Sequence, residues 1–79
     1  METAFVLIVC EVGTTDKVVK KLQMINEINE ATSVWGAYDI VTKITAPTTE
    51  ALRDTIRQKI RTTDNVRTTV SLMAFESKT

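Results

Sequence analysis

Two short groups of polar residues carry the side chains with which this sequence could bind a small polar molecule. The first lies in VWGAYDIVTKI, residues 34–44, where four residues interrupt two apolar runs: Gly36, Ala37, Tyr38 and Asp39. Asp39 offers a carboxylate that could receive an ammonium group, and Gly36 permits backbone geometry that other residues resist. The second group is Thr69 and Ser71, two hydroxyls spaced two residues apart. Turn amides, one acid and two hydroxyls suit the charged ends of a free amino acid.

The same stretch has a simpler interpretation, in which Gly36 and Ala37 only turn the chain between two strands. Trp35, the single tryptophan, likewise has three interpretations: it fills the core, lines a pocket or lies in a subunit interface. The residues alone leave these alternatives open.

Several other chemistries are excluded by composition. The chain has no histidine and one cysteine, Cys10, inside the apolar run LIVCEV. We therefore expect a buried structural thiol, neither a nucleophile with its base nor a nitrogen–sulfur metal site. The sequence contains no glycine-rich phosphate loop, and its aspartates are too scattered for paired acid–base work. No cofactor is expected.

Two charged sets are interpreted as solvated helix or loop surface. Arg53, Arg57 and Arg61 recur at intervals of four, and alone they could bind phosphate. Glu50 and Asp54 precede the first two of them by three residues, so surface ion pairing explains the stripe. Glu27 and Glu30 are likewise expected to be solvated.

Length and charge narrow the class of protein. Seventy-nine residues make a single domain that is marginal alone, for which oligomerisation is a common remedy. Ten basic and ten acidic residues give a net charge of zero, which argues against nucleic acid as the main partner. The first apolar run, 4–10, is too short to span a bilayer, and a chain without a disulfide points to the cytoplasm.

The patterns predict the order strand, helix, strand, strand, helix, strand. Strands are expected at 4–11, 29–35, 38–45 and 66–76. A first helix, capped at Thr14 or Thr15, presents Val18, Leu22 and Ile25 on one face, and a second, capped at Thr48, presents Leu52, Ile56 and Ile60. This order is typical of the α+β, ferredoxin-like βαββαβ fold, with a four-stranded antiparallel sheet and both helices on one face.

The first strand is apolar on both faces. Phe5, Leu7 and Val9 alternate with Val6, Ile8 and Cys10. The two helices can cover only one face of the sheet, so the other needs a partner. We therefore predict a homodimer packed sheet to sheet.

With these elements in place, the sequence resembles the effector-binding (RAM) domain of the Lrp/AsnC regulators. The resemblance rests on GAYDIVTKI, 36–44, followed by a helix and NVRTTVSLM, 65–73. The family pattern is a hairpin G-x-Y/F-D and then V-x-x-T-x-T. It falls on six residues here, with serine replacing the second threonine: Gly36, Tyr38, Asp39, Val66, Thr69 and Ser71. The resemblance covers nearly the whole chain.

The resemblance implies a sheet-to-sheet dimer that assembles further, commonly into octamers, with amino-acid effectors held between dimers. It implies an effector site with six members: Gly36, Ala37, Tyr38, Asp39, Thr69 and Ser71. Members normally carry a helix-turn-helix domain ahead of this one. Residues 1–79 are expected to form a single RAM domain without it, either a stand-alone member of the family or a piece of a longer chain. A stand-alone form is expected to modulate full-length Lrp/AsnC regulators and not to bind DNA itself. Ala37 departs from relatives that have a polar residue there, which affects effector specificity.

Two rival functions remain beside this one. A small dimeric α+β barrel enzyme would usually need a histidine or a deeply buried acid, and the chain has no histidine. A purely structural interaction module would bind nothing small at its hairpin. We therefore expect a regulatory binding module and not an enzyme.

Overall fold

Two helices lie on one face of a single antiparallel sheet in a computed structural model that describes residues 1–75. The elements are β1 (Glu2–Cys10), α1 (Thr15–Gln23), β2 (Ile28–Ser33), β3 (Ile40–Ala46), α2 (Thr49–Thr55, continued by a π-helical turn, Ile56–Ile60) and β4 (Val66–Met73). The strand order is β2-β3-β1-β4. The predicted ferredoxin-like βαββαβ fold is confirmed, and the sheet of one chain stays open.

The core lies between the sheet and the helices. β1 and β3 turn alternate side chains inward, and α1 and α2 cover them with the predicted apolar stripes. The buried hydrophobic residues are Ala4, Val6, Ile8, Cys10, Val18, Leu22, Ile28, Ile40, Ile44, Ala46, Leu52, Ile56 and Ile60. The one polar side chain buried within the sheet, Thr42, donates its hydroxyl to the Val6 carbonyl at 3.1 Å. Its polar atom is therefore satisfied inside the core.

The two helix starts differ in how they are capped. Thr48 precedes α2 in an extended conformation, and its hydroxyl accepts a hydrogen bond from the Ala51 amide at 3.0 Å. Thr14 occupies the matching position before α1, but its side chain makes no cap bond. Its hydroxyl donates to the Glu11 carbonyl at 2.6 Å instead. Both helices begin where the threonine pairs predict, while only Thr48 caps with its side chain.

The hairpin between β2 and β3 is longer than the sequence predicts. β2 ends at Ser33 and β3 begins at Ile40, so Val34 and Trp35 are not in a strand, and neither are Tyr38 and Asp39. Residues 34–39 form an irregular loop, and the bond from the Val34 amide to the Asp39 carbonyl closes its base. β4 ends at Met73, so Ala74 and Phe75 do not extend it. The predicted end at residue 76 lies outside the described residues.

The face of the sheet opposite the helices is apolar and uncovered within the chain. β1 contributes Phe5, Leu7 and Val9, which alternate with its buried residues. Phe5 pairs with Leu72 of β4, and Leu7 pairs with Val41 and Val70 on its two sides. Phe5 is 37% exposed and Leu72 is 51% exposed. This surface, which we call the open face, is the one for which the sequence predicts a partner. No helix among residues 1–75 is long and apolar enough to cross a bilayer.

Candidate functional site

Asp39 makes three hydrogen bonds, two to β1 and one across the base of the hairpin loop. Its amide donates to the Ile8 carbonyl at 2.9 Å, and its carbonyl accepts from the Val34 amide at 2.9 Å. Its carboxylate accepts from the Cys10 amide at 2.8 Å. The pairing of β1 with β4 shifts between Val9 and Cys10. The Asp39 carboxylate therefore satisfies the Cys10 amide at the point where the pairing of β1 with β4 is irregular.

The remaining residues of the loop project outward. Gly36 has a backbone φ of +128°, a conformation that residues with a Cβ rarely adopt. Trp35, Gly36 and Ala37 are exposed, and the Trp35 side chain is as exposed as in a free peptide, at 102%. Of the three interpretations of Trp35, a place in the core of its own chain is therefore wrong. Tyr38 and Asp39 are half-buried at the base of the loop.

Thr69 and Ser71 line a groove on the opposite edge of the sheet. They pair with Ile8 and Val6 of β1 and so point to the same face as the helices. The helices leave the β4 edge uncovered, and the gap beside α2 is a groove with a volume of about 440 Å³. This volume falls within the ~300–1,000 Å³ typical of small-molecule sites. Ser71 is exposed and Thr69 is half-buried, so both are accessible from the groove.

The six predicted site residues therefore form two groups that do not converge within one chain. Asp39 is bonded to Ile8 on the β3 side of β1, and Thr69 pairs with Ile8 on the β4 side. Two strand spacings separate these positions, or roughly 10 Å between backbones. A small molecule touching both groups would need the loop of one copy beside the groove of another.

The Cys10 thiol lies at the foot of the hairpin loop, buried in the core. Burial raises its pKa, and the negative charge of Asp39 raises it further. The thiol therefore stays protonated at neutral pH and behaves as the structural core residue that the sequence predicts.

Ion pairing on the surface differs from what the charge pattern predicts. Arg57 donates to Asp54 at 2.7 Å, as expected, whereas Arg53 forms no ion pair with any carboxylate of residues 1–75. Glu27 is not merely solvated, because Lys59 donates to both its carboxylate oxygens at 3.0 Å. This bond, together with one to its own backbone amide, lowers the pKa of Glu27.

Sequence reasoning missed the helix wall of the groove. Ile56 and Arg61 from the end of α2 face Thr69 and Ser71 across it. The arginine stripe was visible in the sequence, but nothing in its spacing indicated that it would lie beside β4. No cluster of residues that could hold a metal ion occurs within 1–75.

Comparisons with known proteins agree with the fold. The profile of the Lrp/AsnC ligand binding domain matches residues 3–79. The structure of FFRP-DM1 is 35% identical, with a TM-score of 0.91 over 95% of this chain and 100% of that one. Hypothetical protein PHS023 from Pyrococcus horikoshii is 34% identical, with a TM-score of 0.90 over 98% of this chain and 93% of its own. None of the curated proteins compared with the chain matches it.

A longer relative shows where such a domain occurs. E. coli AsnC is 25% identical, with a TM-score of 0.89 over 96% of this chain, and the match spans 52% of AsnC. The family description is that of a ligand-binding domain, and its relatives here share the open sheet with two helices on one face. The chain belongs to the Lrp/AsnC ligand binding domain family, whose members regulate by binding an effector.

Proposed function

We propose that this chain is an oligomeric regulatory module that binds an amino acid and has no catalytic activity. The observation that carries the proposal is the placement of its two polar groups. A carboxylate with turn amides lies where the central strands β1 and β3 meet the hairpin loop, and two hydroxyls on the edge strand β4 line a groove. An amino acid presents both a cationic and an anionic end, which these two groups match in chemistry.

The separation of the groups supports a site between copies. Since β1 lies between Asp39 and Thr69, the ligand would touch the loop of one copy and the β4 edge of another. The exposed loop tip at Trp35 and Gly36 projects far enough from its own sheet to be the element that crosses. Binding and assembly would then be coupled, since each promotes the other.

Within this site each residue has a distinct role. Backbone amides around Gly36 and Ala37 would hold the carboxylate, and the Tyr38 ring would shape the pocket. The free oxygen of Asp39 would orient the ammonium, directly or through water, while the other oxygen holds Cys10. Thr69 and Ser71 would donate or accept from their hydroxyls.

The open face would form the first level of assembly. Phe5 and Leu72 are paired, partly exposed and apolar, and burying such area gains ~25 cal/mol per Å². Two copies packed through this face form a dimer whose hairpins and grooves remain outside, available for a ring of dimers. The octamer-like assembly that the resemblance implies would form in these two steps, with dimers first and then a ring of dimers.

The partners of this module would be proteins and not DNA. A net charge of zero over 79 residues leaves no excess of cations for a phosphate backbone. We propose that the module acts in the cytoplasm by assembling with full-length regulators of its family and changing their response to effector.

A binding screen tests the proposal. The chain is heated with each of the twenty amino acids, and any that raise Tm are titrated calorimetrically. A ligand at 100 times its Kd stabilises the folded state by ~2.7 kcal/mol, which is a measurable shift. Asp39→Asn keeps an oxygen for the Cys10 amide but removes the charge, so it should weaken binding while the protein stays folded. A chain that responds to none of the twenty would refute the proposal.

A further inference from the structure

The groove beside β4 contains several hydrogen-bond donors and no acidic side chain. Its first section is lined by Arg61, Arg67, Thr69 and Ser71 over Ile56. A second section of about 310 Å³ continues along α2 and is lined by Arg53, Ile56, Arg57, Arg61, Ser71 and Met73. Arg61 lines both sections, and neither includes a carboxylate among the described residues. A guanidinium has five donors and no acceptor, so this lining favours an anion.

Arg61 follows a π-helical turn and lines the groove. The Arg61 amide donates to the Ile56 carbonyl at 2.9 Å, five residues back. Ile56 and Ile60 both stay buried, and Arg61 stays on the same side as Arg57. Turns of this kind occur frequently at functional sites.

The positive charges of the groove are only partly compensated. The Arg57 guanidinium lies 2.7 Å from the Asp54 carboxylate, and the Nε of Arg67 lies 3.7 Å from the Glu11 carboxylate. Arg53 and Arg61 have no carboxylate of residues 1–75 within 4.0 Å. Two guanidinium groups that line the second section, eight residues apart along α2 and the turn that continues it, therefore have no carboxylate partner among the described residues.

The floor between these charges is apolar. Ile56 and Met73 line the second section between Arg53 and Arg61. An occupant with two anionic ends and a short hydrocarbon stem would place methylene groups on this floor and a carboxylate at each arginine. Inorganic phosphate has the charge but no stem to cover Ile56 and Met73.

We infer that this groove selects a small dicarboxylate, and that the effector is an acidic amino acid with one carboxylate near Ser71 and Arg61 and the other near Arg53. In this pose both carboxylates lie at arginines and not at the amides around Gly36 and Ala37, so the inference rests on the proposed function for the ammonium group alone. Arg61 is then a specificity residue, because its charge favours an acidic side chain over the corresponding neutral amide.

The test compares isosteric ligands by calorimetry on the whole chain. L-glutamate and L-aspartate should bind at least tenfold tighter than L-glutamine and L-leucine, and the preference should weaken with added salt. Arg61→Gln should abolish the preference for acidic amino acids, and Arg61→Lys should retain part of it. Arg53→Gln removes the other guanidinium and should also weaken the preference. Lys20→Gln removes a charge from an exposed position on α1 and should leave the affinity for each ligand unchanged.

Each contrary outcome identifies which idea fails. If glutamine or leucine binds as tightly as glutamate and Arg61→Gln has no effect, the anion preference is wrong and the proposed function stands. If no amino acid binds but 2-oxoglutarate does, with a dependence on Arg61, the groove stands and the amino-acid function fails. Phosphate binding as tightly as glutamate would refute the dicarboxylate class. If Arg61→Gln changes the molecular mass of the assembly but not ligand binding, the arginines contact a second copy and the inference is wrong. If no ligand binds at all, both the inference and the proposed function are refuted.

Discussion

The carboxylate of Asp39 accepts a hydrogen bond from the Cys10 amide at 2.8 Å, across 29 residues of sequence. The residue that we propose for the ligand's ammonium group therefore also holds the hairpin loop to the sheet. A variant that removes both functions would confuse a loss of binding with a loss of structure.

Substitutions at Asp39 should separate these two functions. Asp39→Ala leaves the partly buried Cys10 amide without its partner, and should lower the free energy of unfolding by ~1–3 kcal/mol. Asp39→Asn retains an acceptor oxygen and should lose less than half of that. Urea denaturation of both variants measures the difference. Equal losses would show that the charge, and not the hydrogen bond, stabilises the loop.

Charge on the open face should prevent dimerisation. Leu72→Glu places a carboxylate beside Phe5, its pairing partner on β1, and burying an unpaired charge in an interface is strongly unfavourable. We expect wild type to sediment at twice the chain mass or a multiple of it, and Leu72→Glu at the mass of one chain. Val12→Glu, at a position 94% exposed in the turn before α1, is the matched control. A wild-type monomer at micromolar concentration would contradict the open face as an interface.

The two glycines at positive φ should differ in their tolerance of a side chain. Gly36 has φ of +128° and Gly13 has φ of +80°, close to the +73° that Asn65 adopts. Gly36→Asn should therefore destabilise by ~1–3 kcal/mol, and Gly13→Asn by clearly less. A Cβ at either position would meet no atom within 4 Å, so the difference in thermal denaturation reports the backbone alone. Equal effects would argue against a strained hairpin tip.

The helix caps offer a second matched pair. Thr48→Ala removes the acceptor for the Ala51 amide and should lower stability by ~1 kcal/mol. Thr14→Ala removes a hydroxyl that makes no cap bond and should cost less. Amide hydrogen exchange in the first turn of α2 should accelerate in Thr48→Ala, and unchanged exchange there would contradict the role of Thr48.

The Glu27–Lys59 pair should make a small, pH-dependent contribution. Because the hydrogen bond from Lys59 lowers the folded-state pKa of Glu27 below its ordinary 4.5, its contribution is present above about that pH. It is lost as the pH falls through the lowered value and the carboxylate protonates. Lys59→Met should therefore reduce stability at pH 7 by less than ~1 kcal/mol, and the difference from wild type should shrink as the pH is lowered below 4.5 and Glu27 protonates. A difference that does not shrink would point to lost packing instead.

Local sequence pattern determined the order of the elements and the inward faces of α1, α2, β1 and β3. Helical spacing of Val18 and Leu22, and of Leu52, Ile56 and Ile60, fixes a buried side whatever the helix packs against. The strand alternation of β1 likewise predicted an apolar face with no helix to cover it. These features depend on residues within a few positions of each other, so the sequence alone was enough.

The tertiary structure decided the features of the site that depend on contacts between residues far apart in the sequence. Strand order places β1 between the hairpin loop and β4, and this separates Asp39 from Thr69 although both were predicted for one site. β3 begins only at Ile40 and leaves Tyr38 in a loop, beside the bond that joins Asp39 to Cys10. The packing of α2 beside β4 places Arg61 and Ser71 on one groove, so that a stripe interpreted as solvated surface becomes one wall of that groove. None of these contacts leaves a periodic signal in the sequence, because each joins residues whose separation along the chain is set by the fold.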